Sequence, residues 1–429
     1  MFKFQQMDRR LNHPMKRRSA DFSSVHPAPR RLRPGRRTIT GLALLAFVLL
    51  GSGFLSACGG KTASTDGPPS GQTAGEATGG SSGGEILIGV QSPTTGSEAK
   101  MGQDINQAIE LAVEELNAKG GVLGKTIKLT FADDACDPQT ATAAANKLVS
   151  QGVVAVVGGY CSGATLPATG VYHQAGIPMV VTAANSEKIP AQGYPEIFLV
   201  NGTTKHQAKR AAEYMVKEQG AKRIALVHDN SAFARDLAEA TKQEVEALGG
   251  EVIAFEAVNS DENDFTPVIS KLKSLKPDAT YWTAYYSAGG LFIKQFKTAK
   301  VPGIIGVGDG ANDKMLVAIA GKENAEGTFI TMSPSAEFIP EAKAFIERYY
   351  AKYGEEPGPY SALSYDGMRL LADAIERAGS TEPAAIVRAL RETKDFPVFG
   401  GTITFNPDGT IQKSNFIVVV VKNGEFALP

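Results

Sequence analysis

The residues able to act on a small molecule fall in short polar clusters, and none of these clusters forms a catalytic constellation. The clusters are Tyr160-Cys161-Ser162-Gly163, Thr182-Ala183-Ala184-Asn185, Asp229 to Phe233, Tyr285-Tyr286 and Asp309. The first two offer neutral hydrogen-bond donors, and the later ones add carboxylates and aromatic rings. Nucleophilic chemistry lacks its usual partners. Ser162-Gly163 is not a G-x-S-x-G elbow. Gly306-Val-Gly-Asp-Gly310 lacks the spacing of a dinucleotide or phosphate loop. Beyond residue 57 the histidines are His173, His206 and His228, the nearest two 22 positions apart and outside metal-ligand spacing. Asp133, Asp134 and Asp137 lack the Gly and Glu of a calcium loop and read as a solvated strand end. Noncovalent recognition is therefore expected, with no enzymatic activity, cofactor or metal.

Alternating buried strands and amphipathic helices must position those clusters. Ile86-Leu-Ile-Gly-Val90, Thr126 to Phe131, Val153-Val-Ala-Val-Val157 and Pro178-Met-Val-Val181 read as strands. Helices over about 102–119 and 138–150 separate the first three, and a further helix leads to the fourth. The pattern restarts with a helix over 204–219 and strand 223–228. Helix 232–248, strand 251–255, helix 264–274, strand 279–283, helix 287–300 and strand 303–307 follow. Two such series imply two doubly wound α/β lobes. The final third reads as helices 340–353, 360–378 and 382–391. It closes with strands near 401–405 and 416–421, expected as a hairpin across Asn406-Pro-Asp-Gly409.

In a doubly wound sheet, ligands bind beyond the carboxyl ends of the strands. The polar clusters, together with Ser92 to Thr95, follow strand ends. Ser162 is placed at the start of a helix, where free N–H groups favour an anion. A small ligand with a carboxylate, an ammonium and an apolar body matches the set. Ser162 and Asn185 acting only as helix caps is the open alternative.

An Arg-rich segment ending at Arg36-Arg37, the apolar run Gly41 to Leu50 and the sequence Leu55-Ser56-Ala57-Cys58 make a secretory signal over 1–57. Its cut site resembles a lipobox, so Cys58 is expected to carry a lipid and anchor the mature chain at the membrane, outside the cytoplasm. Residues 58–84 are rich in Gly, Ser, Thr and Ala and read as a flexible linker. The leader holds 11 Lys/Arg and 2 Asp/Glu, so its removal changes the net charge from −1 to −10. That balance disfavours nucleic acid. The remaining roughly 345 residues favour two lobes over one core. Cys136 and Cys161 remain, and an oxidising compartment favours a disulfide between them, with two free buried thiols as the alternative.

Asp133-Asp-Ala-Cys-Asp-Pro138, Tyr160-Cys-Ser-Gly-Ala-Thr165, Thr182-Ala-Ala-Asn185 and Val227-His-Asp229 closely resemble the leucine/isoleucine/valine-binding proteins of bacterial branched-chain amino acid ABC transporters. Gly89 to Gly96 and Asn117 to Gly121 are also similar, and the resemblance runs from about 85 to 425. It implies a type I periplasmic binding protein with two lobes joined by three crossings. Lobe 1 is expected over 85–203 and 333–410, and lobe 2 over 204–332 and 411–429. Carried over, Ser162 holds the ligand carboxylate, Asn185 touches carboxylate and ammonium, and the Ala183 carbonyl meets the ammonium. Asp309 stands where the family has a glutamate that neutralises the ammonium, and Tyr285 matches a tyrosine of the closing lobe. Phe233 and Met101 replace tyrosines, and Tyr160 replaces a leucine beside the ligand side chain. The resemblance implies a monomeric, lipid-anchored binding protein that presents an amino acid, branched-chain or otherwise aliphatic, to ABC permease subunits. A ligand sensor, or a binder of amides, urea or short-chain acids on the same fold, remains the alternative.

Overall fold

The computed structural model describes residues 84–429. The leader, Cys58 and the linker up to residue 83 lie outside the described residues. Five parallel strands form the first sheet: β1 (Glu85–Ser92), β2 (Thr126–Asp133), β3 (Ala155–Gly158), β4 (Met179–Val181) and β5 (Ile197–Leu199), in the order β2-β1-β3-β4-β5. Helices α1 (Ala99–Ala118), α2 (Pro138–Ser150) and α3 (Ser162–Ala175) connect the first four. Strand β3 is buried throughout, as a strand covered on both faces must be.

The second sheet has seven strands. They are β6 (Arg223–His228), β7 (Glu251–Ala257), β8 (Ala279–Trp282), β9 (Ile304–Val307) and β10 (Phe329–Met332), with β13 (Ile417–Lys422) and β14 (Glu425–Ala427) from the end of the chain. Their order is β14-β13-β10-β9-β8-β6-β7, and β13 runs antiparallel to β10. Its helices are α4 (Thr204–Ala212), α5 (Ala232–Ala247), α6 (Thr266–Leu275), α7 (Tyr286–Thr298), α8 (Lys314–Ala320) and α9 (Lys322–Ala325). The expected helix over 204–219 is α-helical only to Ala212 and continues as a π-turn over Glu213–Glu218. Helices α10 (Lys343–Tyr353), α11 (Ser361–Ala378) and α12 (Pro383–Arg391) return to the first lobe, where α11 packs on α1, β3 and β4. The chain thus crosses between lobes three times: after β5, after β10 and before β13. Among the described residues, no helix is long and apolar enough to cross a membrane.

One expectation at the end of the chain fails. Strand β12 (Gly401–Ile403) pairs with β11 (Phe396–Val398), not with the strand near 416–421. The turn at Asn406 closes only a Phe405–Ile411 bridge. The last long strand instead joins the second sheet, pairing antiparallel with β10 on one edge and with the following strand β14 on the other.

Candidate functional site

Both sheets end at a common cleft. In the first sheet, β3 runs into Gly158 and Gly159, both at positive φ, and a Cβ at Gly158 would strike the Gln91 carbonyl. The two glycines permit the sharp turn that delivers Tyr160, Cys161 and Ser162. Helix α3 starts at Ser162, and its N-terminus carries no side-chain cap. Its first free N–H groups and the positive end of its dipole lie at the cleft, an arrangement that favours an anion.

The disulfide Cys136–Cys161, with Cα atoms 5.3 Å apart, ties this turn to the loop after β2. That loop holds Ala135 and Cys136 at φ 48° and 56°. Asp133 Oδ1 accepts from the Ala135 N–H at 2.9 Å, and Asp134 Oδ1 accepts from the Cys136 N–H at 3.0 Å. The aspartates expected at a solvated strand end therefore brace a left-handed turn. No group of side chains suited to a metal occurs among the described residues.

The loop after β4 supplies Ala183 and Asn185. The Ala183 carbonyl accepts from Asn201 Nδ2 at 2.8 Å. The Ser186 N–H donates to Ser162 Oγ at 3.3 Å, joining this loop to the start of α3. Asn185 Nδ2 reaches across the cleft to Asp309 Oδ2 at 3.1 Å. Asp309 follows β9 and is 2 % exposed, and its Oδ1 is buried without a hydrogen-bond partner. Burial pushes its carboxyl up to about 7. The next residue must be small, because a Cβ at Gly310 would lie 2.6 Å from the Phe233 ring.

Aromatic rings from both lobes close the cleft. Tyr160 lies 5.8 Å from Tyr285 and 5.5 Å from Tyr360, and Phe233 lies 5.5 Å from Tyr285, as ring centroids. The Tyr360 hydroxyl donates to the Asp309 carbonyl at 2.8 Å. Of the residues singled out from sequence, Ser162, Ala183, Asn185, Asp309, Tyr160, Tyr285 and Phe233 converge here. Met101 is buried in α1, three residues after Glu98.

Glu98 lies at the cleft edge, immediately before α1, and sequence reasoning passed over it. It is 3 % exposed, and its carboxylate accepts from the Tyr160 hydroxyl and from Ser287 Oγ, each at 3.3 Å. Burial pushes it, too, up to about 7. Two further contacts between the lobes were also missed. The Tyr286 hydroxyl donates to the Ser97 carbonyl at 2.7 Å. Asp236 Oδ2 accepts from Ser186 Oγ, the Glu187 N–H and Thr204 Oγ1 at 2.9, 2.8 and 2.6 Å. The usable signal for Glu98 was its place after the first strand. Asp236 lies within α5 and Tyr360 immediately before α11, and neither carried such a signal. A cavity of ≈680 Å³ opens above the cleft, lined by Glu98, Cys161 and Gly163 on one side and by Asp229, Tyr285 and Ser287 on the other.

The cleft therefore sets an uncapped helix start on one lobe opposite a buried carboxylate on the other, without a nucleophile–base pair. A family model described as a periplasmic binding protein matches residues 85–425. A Leu/Ile/Val-binding protein homolog of Brucella abortus is 31 % identical, with 81 % of this chain and 94 % of the relative aligned. A leucine-, isoleucine-, valine-, threonine- and alanine-binding protein of Pseudomonas aeruginosa is 33 % identical, over 78 % of this chain and 89 % of the relative. Among solved structures, a leucine-binding protein of Thermotoga maritima superposes with a TM-score of 0.76 at 31 % identity, covering 80 % of this chain and 97 % of the other. The branched-chain amino acid substrate-binding protein of Streptococcus pneumoniae, in complex with isoleucine, gives 0.74 at 30 %, covering 80 % and 98 %. Anion site, opposed carboxylate, three crossings and whole-length similarity agree: the chain is a type I binding protein and belongs to the periplasmic binding protein family, alongside the leucine/isoleucine/valine-binding proteins.

Proposed function

We propose that the chain is the extracytoplasmic substrate-binding protein of an ABC importer for α-amino acids, held at the membrane by a lipid on Cys58. The observation that carries this reading is the buried Asp309 carboxylate, whose Oδ1 lacks a partner, set opposite the uncapped start of α3. An uncompensated buried carboxylate is costly, and a ligand ammonium relieves that cost. The N–H groups of α3 and the Ser162 hydroxyl take the ligand carboxylate, while Asn185 and the Ala183 carbonyl fix the amino group. Lobe 1 comprises 85–203 and 333–410, and lobe 2 comprises 204–332 and 411–429. Their closure buries the ligand between Tyr160, Phe233, Tyr285 and Tyr360 and presents the closed form to the permease. The relatives whose names specify leucine, isoleucine, valine, threonine and alanine support an amino-acid ligand.

Calorimetry on residues 85–429 against amino acids, 2-hydroxy acids and amides tests the binding role. Saturable binding of an amino acid, with no binding of the matching amide, is the expected result. Tighter binding of a simple amide or of a carboxylic acid without an amine refutes the zwitterion model. Mass spectrometry of the membrane fraction tests the anchor, and an unmodified Cys58 thiol refutes it.

A further inference from the structure

The α-ammonium answers one buried carboxylate, and the cleft holds a second. Glu98 is 3 % exposed and lines the ≈680 Å³ cavity. Its partners there are hydroxyls from both lobes, Tyr160 and Ser287. A carboxylate has about four acceptor positions, so two neutral hydroxyls leave it half used and uncompensated. Neither Glu98 nor Asp309 takes part in any ion pair among the described residues. The nearest lysine in sequence, Lys100, is committed to Asp104 and Glu355 at 2.6 and 2.9 Å. The cavity is lined by four carboxylates, Glu98, Asp229, Asp261 and Glu262, and by no Lys, Arg or His. The cavity also adjoins the ammonium site. One hydroxyl, that of Tyr160, contacts Glu98 Oε2 at 3.3 Å and the Gly310 carbonyl, next to Asp309, at 3.4 Å.

Resting on the amino-acid reading above, we propose that Glu98 is the specificity-determining residue of the site and selects an amino acid whose side chain ends in a cationic nitrogen. The α-carboxylate sits at the start of α3 and the α-ammonium at Asp309. The side chain then extends past Tyr160 and Tyr285, whose ring faces favour a cation, and its terminal nitrogen donates to Glu98. A site that supplies a buried acceptor rejects an analogue with no donor, because the acceptor is then left desolvated and unpaired. An aliphatic side chain of equal length therefore binds less well.

L-Ornithine and L-norleucine have side chains of equal length that differ in a terminal ammonium against a methyl. Calorimetry on residues 85–429 at pH 7.5 should show ornithine favoured by about tenfold or more, the effect of a hydrogen bond to a charged group. Glu98→Gln should collapse the ratio of the two affinities to within about threefold. Asp309→Asn should weaken both ligands while leaving the ratio in place. Norleucine bound as tightly as ornithine by the wild-type protein overturns the role of Glu98 alone, and so does a ratio unchanged in Glu98→Gln. Binding of neither ligand, nor of any other amino acid, overturns the amino-acid reading and this proposal with it. The wild-type comparison needs no variant to fold.

Discussion

Asp309→Asn separates the charge of the ammonium site from its shape. The substitution keeps one acceptor oxygen and nearly the same side-chain volume, removes the negative charge and turns the second oxygen into an NH2 donor. In the structure, Asp309 is 2 % exposed, Oδ2 accepts from Asn185 Nδ2 at 3.1 Å and Oδ1 has no partner. The proposed ligand ammonium would therefore meet a carboxylate with one free oxygen. A hydrogen bond to a charged group contributes roughly 1.5–3 kcal/mol, so the variant should lose about 10- to 150-fold in affinity for an amino acid. The matching 2-hydroxy acid keeps the carboxylate and lacks the ammonium, so its affinity should change little from wild type. The same substitution acts in the opposite direction on the empty protein. A carboxyl raised from 3.8 to about 7 costs roughly 4 kcal/mol to hold ionised at pH 8, a cost that opposes closure without ligand. Ligand-free Asp309→Asn should accordingly be more compact at pH 8 than the ligand-free wild type. Calorimetry measures the first effect and small-angle scattering the second. Amino-acid affinity within twofold of wild type, or an unchanged radius of gyration in the empty variant, refutes this account of Asp309.

Three further measurements probe the surrounding framework. The bond Cys136–Cys161 predicts no titratable thiol in native residues 85–429 without reductant. Reducing it should cost roughly 3 kcal/mol for a loop of 25 positions, read as a lower denaturant midpoint. Burial in the closed cleft raises both Glu98 and Asp309 to about 7, so closing the empty protein takes up protons. Closure of the empty protein is then unopposed below about pH 4, the range of the unperturbed carboxyls, and is increasingly opposed as pH rises through about 7. Scattering of the ligand-free protein should show compaction from pH 8 to pH 5.5, and a constant radius of gyration refutes the linkage. Asp236→Ala strands donors from Ser186, the Glu187 backbone and Thr204. At about 1–3 kcal/mol for a buried donor left unpaired, ligand affinity should fall about fivefold or more, although Asp236 is not expected to touch the ligand.

The sequence was most legible where a single element determines the answer. Strand β3 is an uninterrupted apolar run, and it is buried on both faces. Ser162 follows such a strand, and helix α3 begins there. Periodicity could not say which distant strand completes a sheet. The strand read near 416–421 forms over Ile417–Lys422, but it pairs with β10, some 90 positions earlier, and with β14, not with the strand expected at 401–405, because closing a sheet depends on tertiary packing rather than on the preceding turn. Short strands were missed for a related reason. Strand β5 has three residues, too few to display a period. At the site, Ser162 and Asp309 carried a local signature in a strand end followed by a polar residue. Glu98 did not stand out, since a glutamate entering a helix is most simply a solvated residue. Its burial arises only when Tyr160 and Ser287, 62 and 189 positions away, fold onto it.

Binding and closure share their hydrogen bonds at the hinge. Asn201, just after β5, donates from Nδ2 to the Ala183 carbonyl and accepts from Ser333 Oγ at 2.6 Å, which joins the first crossing segment to the second. The third crossing packs against the first at Gly202, where any side chain would strike Ser414. The Thr204 N–H donates to the Asn185 carbonyl at 2.9 Å, while the Asn185 side chain reaches Asp309 in the other lobe. The two residues proposed to hold the amino group, Ala183 and Asn185, are thus anchored to the crossings themselves. In the proposed closure, rotation about the crossings would move Asp309 relative to an amino-group site that stays fixed to the hinge. A ligand that engages only the first lobe makes the same contacts in either arrangement and exerts no preference for closure. The ammonium–Asp309 pair forms only when the lobes meet. On the proposed reading, it is the interaction through which an amino acid, rather than any carboxylate, drives the protein to the closed form.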